Sequence, residues 1–262
     1  MRNEVRGIAV QAAKRAGSLL KERLGKYGEV EFKGAIDLVT EADRASEDLI
    51  MGEIRKAFPG HGILTEESPE VVKDSPFKWI IDPLDGTTNY SHGFPFFCVS
   101  IAFEEEGAVV FGAVYDPMLD ELYTAERGRG AFLNGKEIRV SSADSLGRSL
   151  LATGFPYDLR VADDNNLDHF SAFSLKAQAI RRAGSAALDL CYTASNRFDG
   201  YWEMKLRPWD VAAGALMVKE AGGLVTDFGG GPFSIYGREC LASNGKIHGH
   251  MIKVLKGLDP DA

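Results

Sequence analysis

The residues best suited to chemistry in this sequence are carboxylates that follow apolar segments. Residues 79–89 read W-I-I-D-P-L-D-G-T-T-N. The first three are typical of a buried strand, which we expect Asp82 and Pro83 to end because proline cannot donate to a sheet ladder. A turn there would bring Asp82 and Asp85 toward one point. Carboxylate and carbonyl oxygens are the ligands of hard cations, and magnesium shares its coordination shell with substrate phosphates.

The residues after this turn favour an anion. Gly86 permits close backbone approach, and residues 87–89 supply hydroxyls and the first N–H groups of a short predicted helix, where anions bind. A cation on one side and anion donors on the other describe a phosphate ester held for hydrolysis. On this segment alone a plain strand-to-helix turn stays open, since Asp-Pro and Asp-Gly are common turn dipeptides.

Acidic residues at other predicted element ends could complete such a site. Residues 63–64 predict a short buried strand that leads into Glu66 and Glu67, and strand ends carry functional loops in α/β sheets. Glu203 lies at the end of a later predicted strand. Asp210 lies at a helix start, where the helix dipole favours a carboxylate regardless of function. A solvated turn and a simple cap are the structural alternatives for these acids.

Two further places admit both a structural and a functional interpretation. Thr40 and Asp43 have capping-box spacing, so the local sequence favours a cap, but a carboxylate at this helix start could also orient an active-site group. Gly184, Ser185 and Ala186 form a small-residue helix entrance that either packs closely or admits a ligand hydroxyl or phosphate. The sequence alone leaves both alternatives open.

Composition limits the classes of partner. The chain has 262 residues, and 30 basic against 38 acidic residues give a net charge of −8, so we expect no nucleic-acid partner. No apolar run is long enough to span a membrane and the N-terminus has no signal-peptide core, so we expect a soluble cytoplasmic protein. The three cysteines are far apart, which predicts neither a disulfide nor a thiolate zinc site. His248 and His250 are expected at the surface.

The elements that must position the acids follow two patterns. Helical spacing predicts helices over 3–24 and 41–58, and residues 31–38, with Lys33 and Asp37, predict a hairpin or loop. Strands are predicted over 97–103, 109–115, 121–124 and 128–136, with the glutamates at 104–106 as a solvated tip and Asn134-Gly135 as a hairpin turn. We expect an α+β lobe over residues 1–148.

The second pattern alternates strands and helices. The predicted elements are a strand over 150–153, a helix over 168–178, an extended segment over 179–182, a helix over 186–195, a strand over 198–204 and a helix over 207–221. Glycines 229–231 predict a turn, since no P-loop lysine follows them. We therefore expect an α/β lobe over 149–262, and a single domain over 1–262 made of the two lobes.

Three segments together carry a resemblance to a known family. With E-E-S at 66–68, W-I-I-D-P-L-D-G-T-T-N-Y at 79–90 and R-P-W-D-V-A-A-G-A-L-M-V-K-E-A-G-G at 207–223, the sequence resembles the inositol monophosphatases. These belong to the lithium-sensitive, magnesium-dependent phosphatases that also include the fructose-1,6-bisphosphatases. The resemblance covers nearly the whole chain and implies a layered αβαβα fold, a site between the lobes and a homodimer.

The resemblance also implies metal ligands. By match to the family's motifs, Glu66, Asp82 and the carbonyl of Leu84 would hold one Mg²⁺. Asp82 would bridge to a second Mg²⁺ held with Asp85 and Asp210, and Glu66 would face a weaker third; Mn²⁺ is an alternative metal. Without metal, four such carboxylates would repel one another, so we expect a loose site. Thr65 stands where many relatives have glycine, and only its backbone is expected to matter.

Catalytic and substrate-binding roles follow from the same match. Glu66 and Thr87, the latter backed by Asp43, would position the attacking water, and the N–H groups of Gly86 and Thr87 would bind the phosphate. The residues implied to meet the polyol are Asp85, Gly184, Ser185, Ala186 and Glu203, and Glu66, Leu84 and Asp210 complete the substrate contacts.

The predicted reaction is hydrolysis of a small polyol phosphate by direct attack of a metal-activated water, without a phosphoenzyme. Inositol 1-phosphate is favoured because Glu203 lies seven residues before Asp210, as in the family motif. A fructose-1,6-bisphosphatase is the nearest alternative, and it would need cations at the rim, for which Arg181, Arg182 and Arg207 are candidates. A non-catalytic regulator that binds metal or phosphate is the alternative from another class.

Overall fold

The strands in the described part of the chain form three sheets, and the helices separate the two larger sheets into layers. The computed structural model describes residues 2–25, 30–32 and 38–260. The helices are α1 (Arg2–Arg23), α2 (Glu41–Ala57), α3 (Thr87–Ser91), α4 (Leu167–Ser174), α5 (Ala186–Ala194), α6 (Pro208–Glu220) and α7 (His248–Leu255). The strands are β1 (Val30–Phe32), β2 (Leu38–Thr40), β3 (Gly62–Thr65), β4 (Phe77–Asp85), β5 (Cys98–Glu105), β6 (Ala108–Asp116), β7 (Glu121–Glu126), β8 (Ala131–Leu133), β9 (Lys136–Ile138), β10 (Leu150–Thr153), β11 (Ala179–Arg181), β12 (Gly200–Met204), β13 (Leu224–Thr226) and β14 (Glu239–Ser243).

The largest sheet runs in the order β3-β4-β5-β6-β7-β8-β9. In it β3 and β4 are parallel, and each following pair is antiparallel. The second sheet runs in the order β11-β10-β12-β14-β13, with parallel pairs up to β12 and antiparallel pairs beyond it. Strands β1 and β2 form a separate antiparallel pair. Lys33 and Asp37, predicted in the loop between them, lie outside the described residues.

Strand β4 contributes to two cores because successive side chains of a strand point to opposite faces. Trp79 and Ile81 pack with apolar residues of α1 and α2, whereas Ile80 packs with those of α5 and α6. The second sheet also faces α5 and α6, through Tyr201 and Ala242, and its other face packs on α4 and α7. The layers are therefore α1/α2, seven-stranded sheet, α5/α6, five-stranded sheet and α4/α7, which confirms the predicted αβαβα fold.

Helix α6 is buried on all sides from Val211 to Val218 because it lies in the central layer. The small residues of α6 let the helix lie close to the two large sheets on either side of it. A side chain at Gly112 of β6 would come within 3.0 Å of the Cα atom of Ala213. Helix α6 thus contacts strands of both large sheets. The chain boundary between the sheets falls near the expected lobe boundary at 148, and the division into two lobes stays a prediction.

The prediction that Asp82 and Pro83 end their strand is wrong. Strand β4 continues to Asp85, and its register against β5 is irregular between Asp82 and Asp85. Proline is tolerated at such a bulge because the ladder is already interrupted there. The bulge therefore places both aspartates on the strand itself, rather than on the turn that follows it.

Other local predictions also need correction. Glu104 is not part of a solvated tip, because β5 extends to Glu105 and Glu104 is buried, where it accepts a hydrogen bond from the phenol of Tyr236 at 3.0 Å. His248 is buried between Thr226 and Ser243 rather than exposed. Helix α4 ends at Ser174, before the predicted end at 178.

Several sequence-based expectations agree with the structure. The Asn134-Gly135 turn has positive φ at both residues, 49° and 78°, as a two-residue hairpin of this type requires. Cys98, Cys191 and Cys240 are buried free thiols. Among the described residues, no helix has the length and apolar character needed to cross a membrane.

Candidate active site

The predicted site residues meet at a cleft of about 720 Å³. Most of them line it directly, namely Glu66, Asp82, Leu84, Asp85, Gly86, Thr87, Glu203 and Asp210. Asp43, Gly184, Ser185 and Ala186 are not among the lining residues. They lie behind the wall, where Asp43 contacts Thr87 and Ser185 contacts Asp85. We call Glu66, Asp82, Asp85 and Asp210 the cleft acids.

The parallel pairing of β3 with β4 places two cleft acids side by side. Thr65 lies opposite Ile81 in the register, so Glu66 and Asp82 follow at the same edge of the sheet. Asp82 is buried, and its Oδ1 atom accepts a hydrogen bond from the N–H of Leu84 at 3.0 Å. This local bond fixes the orientation of a carboxylate that lines the cleft.

Asp85 connects the first sheet to helix α5. Its Oδ2 atom accepts hydrogen bonds from the Ser185 hydroxyl and the Ala187 N–H, both at 2.7 Å. The Ser185 hydroxyl also caps α5 by accepting from Leu188 N–H at 3.3 Å. The predicted helix entrance at 184–186 therefore both packs closely and supports a cleft acid, and its contact with a ligand stays a prediction.

Asp210 lies in the first turn of α6, where its Oδ2 atom accepts the N–H of Arg207 at 2.7 Å. The carboxylate thus stabilises the helix start as the sequence indicated. It also lines the cleft, so the capping role and the site role coexist in one side chain.

Burial raises the pKa values of Asp82, Asp85 and Asp210, and repulsion by other acids adds to it for Asp82 and Asp210. Burial is the largest cause for Asp82, whose pKa lies well above its ordinary value, and repulsion by the other three cleft acids adds to it. Burial likewise raises the pKa of Asp85 to about 6 and places the pKa of Asp210 well above its ordinary value. The hydrogen bonds from Ser185 to Asp85 and from Arg207 to Asp210 lower these pKa values and partly offset burial.

This donor set fits a divalent cation. Carboxylates and the Leu84 carbonyl are hard oxygen donors, and a cation would supply the positive charge that the cleft acids lack. Within the described residues, no three His, Cys, Asp or Glu side chains already form a compact ligand group. The cleft acids therefore line the cleft without closing around one point, and their assignment to particular ions stays a prediction.

The anion side of the cleft is built by Gly86 and Thr87. Gly86 has φ of 102°, and a side chain there would come within 3.0 Å of the Phe96 carbonyl, so both backbone angle and space require glycine. The Thr87 hydroxyl lies 3.0 Å from Oδ1 of Asp43 and 3.0 Å from the Leu84 carbonyl. Asp43 is fully buried and contacts Thr87. This contact agrees with the alternative in which Asp43 orients an active-site group. The side chain of Thr40, its proposed capping partner, lies outside the described residues.

Glu203 forms the opposite wall of the cleft. Its Oε2 atom accepts a hydrogen bond from the Tyr201 hydroxyl at 2.8 Å, and burial raises the pKa of Glu203 to about 7. A side chain at Gly154 would clash with the Glu203 carboxylate. Glycine at 154 therefore provides the space that this carboxylate occupies.

The comparison with known families covers almost the whole chain. The model of the inositol monophosphatase family matches residues 1–258. The chain belongs to this family. An inositol-1-monophosphatase of Mesorhizobium japonicum is 43% identical over 258 residues, which is 97% of each chain. The Nus factor SuhB of Vibrio cholerae is 44% identical over 240 residues, which is 90% of each chain.

Solved structures agree with this assignment. The inositol monophosphatase from Anabaena has a TM-score of 0.88 and 44% identity, and the match covers 97% of this chain and 96% of that chain. The extragenic suppressor protein suhB from Bartonella henselae has a TM-score of 0.92 at 45% identity, with 96% and 98% covered. The family and these names support a phosphatase.

Sequence reasoning missed two polar residues of α2, Ser46 and Glu47, that lie behind the cleft of this inositol monophosphatase family member. The Ser46 hydroxyl donates to the Pro83 carbonyl at 2.7 Å, and the Thr65 hydroxyl donates to Oε2 of Glu47 at 2.6 Å. The expectation that only the backbone of Thr65 matters is therefore wrong. Positions 43, 46 and 47 share one face of α2, and this i, i+3, i+4 spacing was the available signal.

The cationic rim of the cleft also differs from the prediction. Of the three candidate arginines only Arg207 lines the cleft, and Lys205 and Arg238 join it there. Both oxygens of Asp158 accept hydrogen bonds from Nζ of Lys205, at 2.8 and 3.0 Å. Arg181 and Arg182 are exposed outside the lining, although the positive charge of Arg182 lowers the pKa of Glu203.

Proposed function

We propose that this protein hydrolyses the phosphate monoester of a small polyol, with inositol 1-phosphate as the favoured substrate, and that it requires Mg²⁺. The observation that carries the proposal is the meeting of four carboxylates from β4, α6 and the turn after β3 at one cleft that Gly86 and Thr87, the anion donors, also line. Bound divalent cations would neutralise the phosphate and lower the pKa of an attacking water. Glu66, Asp82, Asp85, Asp210 and the Leu84 carbonyl are the groups that would hold them.

Thr87 is suited to orient the attacking water. Its hydroxyl hydrogen is directed to acceptors behind the wall, since Oδ1 of Asp43 and the Leu84 carbonyl both lie 3.0 Å away. An oxygen lone pair of Thr87 is therefore left to accept a hydrogen bond from a water in the cleft. With Glu66 as a second acceptor, the water would be fixed relative to the phosphorus. The N–H groups of Gly86 and Thr87 would bind the phosphate oxygens.

Glu203 is suited to select a polyol. Its carboxylate lines the cleft, and a substrate hydroxyl would donate to it. Sites built to hydrogen-bond a substrate hydroxyl discriminate strongly against analogues that lack it. We therefore expect Glu203→Gln to lower kcat/KM for inositol 1-phosphate by roughly tenfold or more, and to leave turnover of p-nitrophenyl phosphate near the wild-type value.

The charge balance at the rim favours a monophosphate over a bisphosphate. Lys205 is paired with Asp158, and Arg238 lies 3.5 Å from Asp164, so two of the three rim cations already face carboxylates. A second substrate phosphate would have to compete with these acids. Relative kcat/KM on inositol 1-phosphate and fructose 1,6-bisphosphate separates the two substrates, and a preference for the bisphosphate would reject our assignment.

The decisive experiment measures phosphate release from a panel of phosphate esters with Mg²⁺ and with chelator, for the wild type and Asp82→Asn. We expect hydrolysis that requires Mg²⁺ and falls by at least about a hundredfold in the variant, since Asp82 is proposed to bridge two ions. Undiminished turnover in the variant would defeat the mechanism. Some relatives are named Nus factor SuhB, so metal binding without hydrolysis of any ester would instead support a binding protein with this fold.

The proposal includes properties that follow from the family resemblance. We propose a cytoplasmic homodimer that accepts Mn²⁺ in place of Mg²⁺ and is inhibited by Li⁺. Sedimentation velocity tests the dimer, and the same phosphate-release assay with each ion tests the metal preference and the lithium sensitivity.

A further inference from the structure

Helix α2 presents a buried polar face toward the cleft. Asp43, Ser46 and Glu47 lie within two turns of the helix and are 0%, 0% and 2% exposed. A helix face in a protein interior is ordinarily apolar, because burying a polar group without a hydrogen bond is costly. Each of these three side chains contacts a different segment of the site: Thr87, the Pro83 carbonyl and the turn that carries Glu66.

Glu47 makes the largest share of these contacts. Its Oε2 atom accepts hydrogen bonds from the Thr65 hydroxyl at 2.6 Å and from the Glu67 N–H at 3.0 Å, and its Oε1 atom accepts one from the Ser68 hydroxyl. The three donors lie immediately before and after Glu66 in the chain. The turn is therefore held on both sides of Glu66, which is the residue of this turn that lines the cleft.

We propose that Glu47 is a positioning residue for the cation site, which it serves by holding the 65–68 turn so that Glu66 faces Asp82. This rests on the proposed function only in that the cleft acids hold a divalent cation. The turn follows β3, which lies at the edge of the seven-stranded sheet, so strand pairing with β4 supports it from one side. Glu47 supplies support from α2, and a carboxylate is suited to this because it offers acceptors to several donors at once.

Loss of Mg²⁺ binding in a Glu47 variant could also arise because the negative charge of Glu47 attracts the cation directly. The variant Glu47→Gln distinguishes this explanation from positioning of the turn. Its amide oxygen can replace Oε2 as acceptor for Thr65 and Glu67, and its amide nitrogen can donate to Ser68, whose hydroxyl can rotate to accept. Glu47→Leu has a similar size and removes every acceptor. If Glu47 acts by positioning the turn, Glu47→Gln should retain the Mg²⁺ affinity that Glu47→Leu loses. If Glu47 acts by attracting the cation directly, both variants should lose Mg²⁺ affinity.

The test is calorimetric titration of the full-length protein with Mg²⁺ in the absence of substrate. For Glu47→Leu we expect the Mg²⁺ dissociation constant to rise by about 10- to 100-fold, the range for loss of a group that orients a ligand, and for Glu47→Gln by less than about threefold. In kinetics on inositol 1-phosphate, the Mg²⁺ concentration that gives half-maximal rate should rise more in Glu47→Leu than in Glu47→Gln. The kcat at saturating Mg²⁺ should change less than this concentration does.

The matched control is Glu220, which holds a turn far from the cleft. Its two carboxylate oxygens accept the N–H groups of Gly128 and Gly130, each at 2.9 Å. Glu220 lies about 15 Å along α6 from Asp210, at 1.5 Å of rise per residue. Glu220→Leu should lower thermal stability as Glu47→Leu does, and it should leave the Mg²⁺ dissociation constant unchanged.

Each outcome decides the proposal. Equal loss of Mg²⁺ affinity in Glu47→Gln and Glu47→Leu, or no loss in either, overturns it. If Glu47→Leu does not fold, Thr65→Val and Ser68→Ala each remove one donor, and both are expected to raise the dissociation constant by roughly two- to fivefold; wild-type affinity in both overturns it equally. Wild-type Mg²⁺ binding without hydrolysis of any ester would reject the proposed function alone, because the titration does not depend on turnover.

Discussion

The hydroxyl of Ser185 donates a hydrogen bond to Oδ2 of Asp85 at 2.7 Å, and so joins helix α5 to the end of strand β4. The two residues belong to different layers of the fold. The same hydroxyl accepts the Leu188 N–H, so the start of α5 and the position of a cleft acid are fixed together. The geometry of the cleft therefore depends on how the central helices seat against the seven-stranded sheet.

Loss of this hydroxyl should weaken cation binding in a pH-dependent manner. The hydrogen bond from Ser185 lowers the pKa of Asp85, which burial raises to about 6, so Ser185→Ala should raise that pKa further. Protons then compete with Mg²⁺ up to a higher pH. For a rise of about one pKa unit, we expect the Mg²⁺ dissociation constant of the variant to exceed that of the wild type by about fivefold at pH 6, and by less at pH 8. Calorimetric titration at both values checks this, with Ser185→Thr as the control that keeps the hydroxyl.

The metal-free protein should lose stability as the pH rises. The pKa of Asp85 is about 6 in the folded protein, and its ordinary value of 3.8 applies to the unfolded chain. The contribution of Asp85 to folding stability is therefore fully present below about pH 3.8 and is lost as the pH rises through 6. The loss amounts to at most about 3 kcal/mol from this group. Asp82 and Asp210 act in the same direction because their pKa values are also raised.

Thermal unfolding in chelator at pH 5 and pH 7.5 measures this dependence. Asp85→Asn cannot ionise, so the wild type should lose Tm relative to it between the two pH values, and Mg²⁺ should restore the wild type at pH 7.5. A constant Tm difference between the two proteins in chelator would contradict the assignment of a raised pKa to Asp85.

The hydroxyl of Thr87 should matter more for turnover than for binding. Thr87→Val keeps the shape and removes the oxygen that would accept from the attacking water, so we expect kcat to fall by roughly 10²- to 10⁴-fold, as when a group that assists proton transfer is lost. Thr87→Ser keeps the hydroxyl and should retain much of the activity. The paired measurement is kcat and KM on inositol 1-phosphate, and equal kcat in the two variants would exclude a role for the hydroxyl.

His61 should reduce stability at acidic pH. The indole N–H of Trp79 donates to Nδ1 of His61 at 3.1 Å, and the imidazole stacks on Phe58 with ring centroids 4.7 Å apart. Burial lowers the pKa of His61 below its ordinary value of 6.5, so its stabilisation is present above pH 6.5 and is lost as the pH falls toward the lowered pKa. A protonated Nδ1 would point a hydrogen at the indole N–H.

The matched variant is His61→Asn, which keeps an acceptor and does not titrate. We expect the Tm of the wild type relative to this variant to fall between pH 7 and pH 5. Both proteins carry the same cleft acids, so their contribution cancels in the comparison. A relative Tm that rises toward pH 5 would show that His61 is stabilised by protonation instead.

Local signals in the sequence predicted most of the elements and marked the candidate acids, whereas the αβαβα order of layers was implied by the family resemblance. Alternating and helical apolar spacing indicates which face of an element is buried, and acids at strand ends and helix starts indicate where those ends meet. Strand β10 and helix α5 begin where they were predicted, at Leu150 and Ala186. The short motifs around Asp82 and Asp210 supplied the rest.

The errors concern residues whose partners are distant in the chain. Glu104 is buried because Tyr236 covers it, and His248 is buried because its two ring nitrogens form hydrogen bonds with the hydroxyls of Thr226 and Ser243. Neither partner can be inferred from neighbouring residues. Strand β4 passes Pro83 because its bulge depends on the register with β5, which local spacing does not reveal. The contacts of Glu47 with the 65–68 turn were missed for the same reason.

The parallel alignment of β3 and β4 has a consequence for tolerated changes in chain length. A slip of β3 by one residue would exchange its two faces, because side chains alternate along a strand, and Glu66 would be carried away from Asp82. Apart from β4, the backbone of β3 is tied only to Val71 through a single bridge at Ile63, among the described residues. An insertion or deletion in the exposed connection at 59–60 should therefore abolish cation binding while the fold survives, although such connections are usually the most permissive sites in a protein.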